Sequence, residues 1–174
     1  MSYPIAVPYK ALPSADLGNV TSTASGFLNS ASAAIVLPLF PALHLKNRMF
    51  EVRAWGRVEG GTTVNFTPSL YFGTSATVAN DTLLKSATAA AVDSAKHSWQ
   101  MVAELVWDAD SDKIEGCVYF RIADVAITAQ VVTAVISSAD PEDNTARGFI
   151  ISGLFSTSNS GNHAYLDGFQ LEID

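Results

Sequence analysis

From His97 to Asp108 apolar and polar side chains alternate: Trp99, Met101, Ala103, Leu105 and Trp107 share one face, with Gln100, Glu104 and Asp108 on the other. That is the period of a half-buried β-strand. The short side chains of Asp108 to Asp112 bond their own backbone and turn the chain. Val118, Phe120 and Ile122 then resume the alternation against Cys117, Tyr119 and Arg121. The pattern predicts a long antiparallel hairpin over 97–122. Each of its tryptophans buries roughly 150–250 Å², so this face is expected to floor the core.

The same period recurs along the chain. Phe50, Val52, Ala54, Gly56 and Val58 alternate with Glu51, Arg53, Trp55, Arg57 and Glu59, and Gly60-Gly61 closes the strand. Val64, Phe66, Leu70 and Phe72 carry a return strand in which Pro68 marks an edge or bulge. Thr82 to Ser86 reads as a short strand followed by a long loop through the alanine-rich 87–95. Val125, Ile127, Ala129 and Val131 alternate; Asp140 to Asn144 carries turn signals. Phe149, Ile151, Gly153 and Phe155 make the next strand, and Tyr165, Phe169, Leu171 and Ile173 the last. About eight strands with no αβ alternation and no fixed repeat predict an all-β fold: a two-sheet antiparallel β-sandwich of jelly-roll type, with an immunoglobulin-like sandwich as the alternative.

Residues 1–32 read differently. Pro4, Pro8 and Pro13 forbid regular helix and interleave with Tyr3, Ile5, Val7, Tyr9 and Leu12, ahead of a Ser/Thr/Ala/Gly/Asn tract. The segment reads as either a disordered leader or an ordered arm, and the five apolar anchors tilt the reading towards the arm. The division is therefore an extended N-terminal arm over 1–32 and a sandwich domain over 33–174. The arm either drapes over the domain or reaches a neighbouring subunit. The apolar stretch 33–45, with Pro38 and Pro41, reads as an edge strand or irregular crossing.

Charge sharpens this division. Residues 1–50 carry a net +2 and residues 51–174 a net −9. An acidic body without clustered Lys and Arg argues against nucleic acid as a partner. No apolar run of about 18 residues and no signal-like segment occurs, so a membrane partner is not expected either. The single cysteine, Cys117, excludes an internal disulfide and leaves packing or association to stabilise the chain.

Candidate chemistry is sparse. Asp108, Asp110, Asp112 and Glu115 suggest a calcium loop, but Lys113 and Tyr119 stand where an EF-hand needs Gly and Glu, so a solvated hairpin tip is expected. Asp140, Glu142 and Asp143 read as a second solvated loop. His44, His97 and His163 lack ligand spacing. Cys117 reads as a small buried or interfacial hydrophobe. No nucleophile elbow, phosphate loop or dinucleotide glycine pattern is present, and no catalytic residue, metal or cofactor is expected. Trp55, Tyr71 and Tyr119 fall on faces opposite the core. They could stack on sugar rings, be buried by a second chain, or belong to strands covered on both sides, a covering that Val102 and Val106 on the same outer face favour.

The run from Lys46 to Gly56, then Gly60 to Thr63, Leu70 to Gly73 and Trp99 to Leu105, resembles the strand-turn-strand core of small jelly-roll proteins of tailed-bacteriophage virions, such as capsid decoration (cement) proteins and head or tail fibre domains. The resemblance implies a non-enzymatic protein of the virion surface, made in the host cytoplasm. Its partners would be the major capsid protein and identical subunits in a homotrimer. It carries over no site residues; the interaction candidates read from the residues themselves are Tyr3, Ile5, Val7, Tyr9, Leu12, Trp55 and Tyr71. The alternative is a carbohydrate- or receptor-binding module of a fibre, with Trp55 and Tyr71 as stacking platforms and the acidic loops as a calcium site.

Overall fold

The alternation of the sequence becomes two packed sheets. The computed structural model describes residues 9–11, 15–16, 25–26, 40–41, 46–73, 81–108, 111–123, 125–135 and 146–174. Short strands β1 (Tyr9–Ala11), β2 (Ala15–Asp16), β3 (Ser25–Gly26) and β4 (Phe40–Pro41) precede the long strands β5 (Met49–Glu59) and β6 (Val64–Gly73). Then come β7 (Thr82–Ser86), β8 (Ala90–Val92), β9 (His97–Asp108), β10 (Lys113–Ile122), β11 (Val125–Val135), β12 (Ala146–Phe155) and β13 (His163–Ile173). The larger sheet runs β1-β13-β5-β9-β10-β11, with β2 also on β13; the smaller runs β3-β12-β6-β7, with β4 on β12 and β8 on β6. All pairings are antiparallel. The fold is an all-β, two-sheet sandwich.

First and last long strands, β5 and β13, lie side by side in one sheet, while β6 and β12 lie side by side in the other. Pairing of the first with the last long strands also occurs in jelly rolls, while the sheet order as a whole defines an antiparallel sandwich. Beyond these pairs the β9-β10-β11 meander extends the larger sheet alone. The described pieces of the N-terminal segment border both sheets, β1 and β2 on β13 and β3 and β4 on β12.

Between the sheets the core is aromatic. Trp99 and Trp107 of β9 are fully buried, as the hairpin pattern requires. Phe72 of β6 meets Trp107 edge-on at 5.6 Å, and Phe66 faces Trp99 at 6.4 Å. Phe149 of β12 bridges Phe50 at 5.5 Å and Phe72 at 5.0 Å. Such tilted and edge-on pairs add to burial because ring edges and faces carry opposite partial charge. β12 is buried on both faces, Ile150 and Ser152 included, which explains why Phe149, Ile150 and Ile151 are apolar in succession.

Pro68 corrects one expectation. It lies in a central strand, opposite Gly153 of β12. It lacks an N–H, and the neighbouring strand is interrupted opposite it, between β7 and β8, where Ala87 N–H donates to the Pro68 carbonyl. The alanine-rich stretch expected as loop holds the strand β8, ending in the buried Val92. The turn into β9 is pinned by the Asp93 carboxylate, which accepts from Ala95 N–H and pairs with His97 Nε2 at 2.9 Å. Those contacts, the Ala95 bond first, hold the carboxyl below its ordinary value.

Candidate interaction surface

The outward side chains of the larger sheet form rows, because antiparallel register sets them directly opposite one another. Glu172, Glu51, Glu104, Cys117 and Val131 make one row across β13, β5, β9, β10 and β11. The adjacent row is Gln170, Arg53, Val102 and Tyr119. On the far side of the glutamate row stand Met49, Val106 and Glu115; on the far side of the Arg53 row stand Trp55, Gln100 and Arg121. Three glutamates abreast repel one another. Arg53 pairs with Glu51, and that hydrogen bond, reinforced by the charges of Glu51, Glu172 and Glu104, raises the guanidinium pKa further. Gln170 Nε2 donates to Glu172 Oε1.

This face is open. Arg53, Gln100, Glu104, Glu115 and Arg121 are exposed, and so are the apolar Met49, Val106, Tyr119 and Val131. The outer face of the smaller sheet differs, since Ile150 and Ser152 are buried and Tyr71 is half-covered. Burial raises the Tyr71 pKa, with the neighbouring Ser152 hydroxyl opposing the shift.

Trp55 lies on the open face beside Gly168, its cross-strand partner. The six-membered ring of the indole occupies the space that a side chain at 168 would fill: a Cβ there would collide with Cζ2 and Cε2. Substituting Gly168→Ala therefore lifts Trp55 off the sheet. Because Trp99 and Trp107 are fully buried, iodide quenching of tryptophan fluorescence reads Trp55 almost alone, and it is expected to rise in this variant. Unchanged quenching would show that the ring does not rest on Gly168.

At the end of β5 the Arg57 guanidinium donates two hydrogen bonds to Asp167, at 2.7 and 2.8 Å, and lies 4.9 Å from the Tyr165 ring centroid. The hydrogen bond and then the charge of Asp167 raise its pKa. His163 stacks on the other neighbour of this group, Tyr165, at 6.0 Å and 15°. The pairing shift between Leu166 and Gly168 accommodates an extra residue in β13. It also corrects the expected face: Tyr165 points outward, although simple alternation sets it with Phe169 and Leu171. Buried Asn162 holds the adjoining loops, accepting from Gly61 N–H and donating to the Thr157 carbonyl.

Of the interaction candidates, Trp55 and Tyr71 are not brought together. Tyr3, Ile5, Val7 and Leu12 lie outside the described residues. Tyr9 begins β1 opposite Leu171. Trp55 and Tyr71 stand on opposite outer faces of the sandwich, so they cannot form one platform; Tyr119 shares the face of Trp55. Arg57, Asp167 and Tyr165 were missed, because the bulge that aligns them leaves no mark in a period of two.

At the candidate calcium loop, Asp110 lies outside the described residues, while Asp108 accepts from the Ser111 hydroxyl and Asp112 takes a left-handed backbone, φ 51°. Among the described residues no group of three or more His, Cys, Asp or Glu side chains is placed to hold a metal ion. Also among them, no helix is long and apolar enough to cross a membrane. No family model matches this chain, and no curated protein matches it.

Proposed function

We propose that the chain is a non-enzymatic structural protein of a tailed-phage virion, seated on the capsid surface and associating with copies of itself. The observation that carries this reading is the open outer face of the larger sheet, where Met49, Val106, Tyr119 and Val131 are exposed among charged side chains. A surface of that mixture suits burial against other protein, and contacts repeated by symmetry sum to large stabilisation. The N-terminal segment, with its apolar anchors, supplies docking on the capsid or on a neighbouring subunit. Removal of residues 2–13 is expected to abolish co-sedimentation with capsids of the encoding phage while leaving the circular dichroism spectrum of the body intact. Co-sedimentation equal to that of the full chain contradicts the reading.

A second reading, a glycan-binding fibre module, is favoured by one arrangement: Trp55 resting beside Gly168, with the Arg57–Asp167 pair on the same face. Binding on a glycan array that disappears in Trp55→Ala would select it over the first.

A further inference from the structure

We propose that the open face of the larger sheet is a two-fold interface, on which a second copy of this chain packs with its strands antiparallel, the glutamate row of each copy over the Arg53 row of the other. The argument is charge complementarity. The two rows are adjacent, one strand position pair apart, and the outer flanking rows carry Glu115 on one side and Arg121 on the other. A two-fold axis lying between the glutamate row and the Arg53 row, perpendicular to the strands, exchanges these rows. Glu51 then faces Arg53 of the second copy, Glu115 faces Arg121, and exposed Met49 lies over the Trp55 ring. The same contacts occur twice because an isologous interface is self-complementary.

The other face-to-face seating fails on the same grounds. An axis along the strands leaves each row over itself and sets glutamates on glutamates, which repel. Within one copy, Arg53 lies in the field of three glutamates. In the antiparallel seating a second Arg53 reaches them. Five strands about 4.8 Å apart and six residues of about 3.4 Å each give a patch on the order of 500 Å² per copy. The resulting total of about 1,000 Å² is at the lower limit for a specific interface. The dimer is therefore expected to be reversible and concentration-dependent. Across the axis the Cys117 positions are roughly 12 Å apart, from a sheet spacing of about 10 Å and a two-residue offset.

Sedimentation velocity of the full chain over a concentration series tests this without any capsid, so its outcome is separate from that of the virion reading. The wild-type chain is expected to form a dimer. Arg53→Glu is expected to raise the dissociation constant by at least about tenfold. The swap Glu51→Arg with Arg53→Glu restores opposite charges across the axis and is expected to restore the dimer. Arg121→Glu and its swap with Glu115→Arg repeat the test on another strand. Cys117 is the single cysteine, so a short bis-maleimide should link two copies in the wild type and the swaps and fail in the single variants. All variants are first matched for melting temperature. A wild-type chain that stays monomeric, an assembly unchanged by Arg53→Glu, or folded swaps that fail to reassociate would each overturn the proposal.

Discussion

Trp99→Ala is expected to destabilise the protein by about 3–5 kcal/mol through lost burial and the remaining cavity. A further roughly 1–3 kcal/mol follows if the carbonyl it serves is left without a donor. Trp99 is fully buried on β9, faces Phe66 across the sandwich, and donates Nε1–H to the Tyr165 carbonyl at 3.0 Å. That bond matters because Tyr165 adjoins the pairing shift in β13, where the strand ladder is irregular. Domains of this kind have only about 5–15 kcal/mol of net stability. At roughly 2–4 °C per kcal/mol for a chain of this size, the burial loss alone should lower the melting temperature by about 6–20 °C. Trp99→Phe keeps most of the ring and loses the bond, and should lie between. Trp55→Ala, on the open face, should lose no more than about 1.5 kcal/mol. Comparable losses in Trp55→Ala and Trp99→Ala would mean that the core is not where these strands place it.

The difference between those two tryptophans was legible in the sequence. β5 and β9 have strict periods of two, and every inward residue expected of them is buried. A period survives only while each residue pairs with one partner. In β13 the shift between Leu166 and Gly168 reverses the faces, so Ala164 and Leu166 point inward on one side of it and Phe169 and Leu171 on the other. In β11 the pairing jumps between Val118 and Phe120 of β10; Val131 is exposed and Val132 buried, although unbroken alternation from Val125 gives no warning of a change. Bulges are set by backbone pairing; Gly168 borders the shift in β13 without fixing which way the faces reverse, and the shift opposite β11 has no such residue.

The same limit governed the candidate surface. Trp55 and Tyr119 could be placed outside because their own strands alternate cleanly. Their association with Arg57, Asp167 and the glutamate row depended on which strands became neighbours and in what register. Sheet order brings Glu172, Glu51 and Glu104 abreast from positions 121 and 53 residues apart. Nothing local in the chain encodes that. What the sequence did convey was acidity without chemistry, and a surface built from repeated charges is where such a composition has its effect.

Gly56→Ala is expected to cost at least about 3 kcal/mol, more than a single methyl group ordinarily does in a core. Position 56 faces inward on β5, among Ala54 and Val58, where any hydrophobe would satisfy the pattern. The added Cβ, however, would collide with the Tyr165 carbonyl oxygen and lie 2.8 Å from Trp99 Nε1. Relief by side-chain rotation is blocked on one side by main chain, so β13 itself must move, and with it the Trp99 bond to Tyr165. The two substitutions therefore probe one construction, yet they are separable. If crowding by the indole were the main obstacle, Trp99→Phe would rescue Gly56→Ala. Because the nearest obstruction is backbone, the double variant is expected to stay at least about 2 kcal/mol less stable than Trp99→Phe alone. Denaturant unfolding of the four proteins of this cycle measures the coupling, and a fully rescued double variant would show that β13 approaches β5 less closely than the sheet register requires.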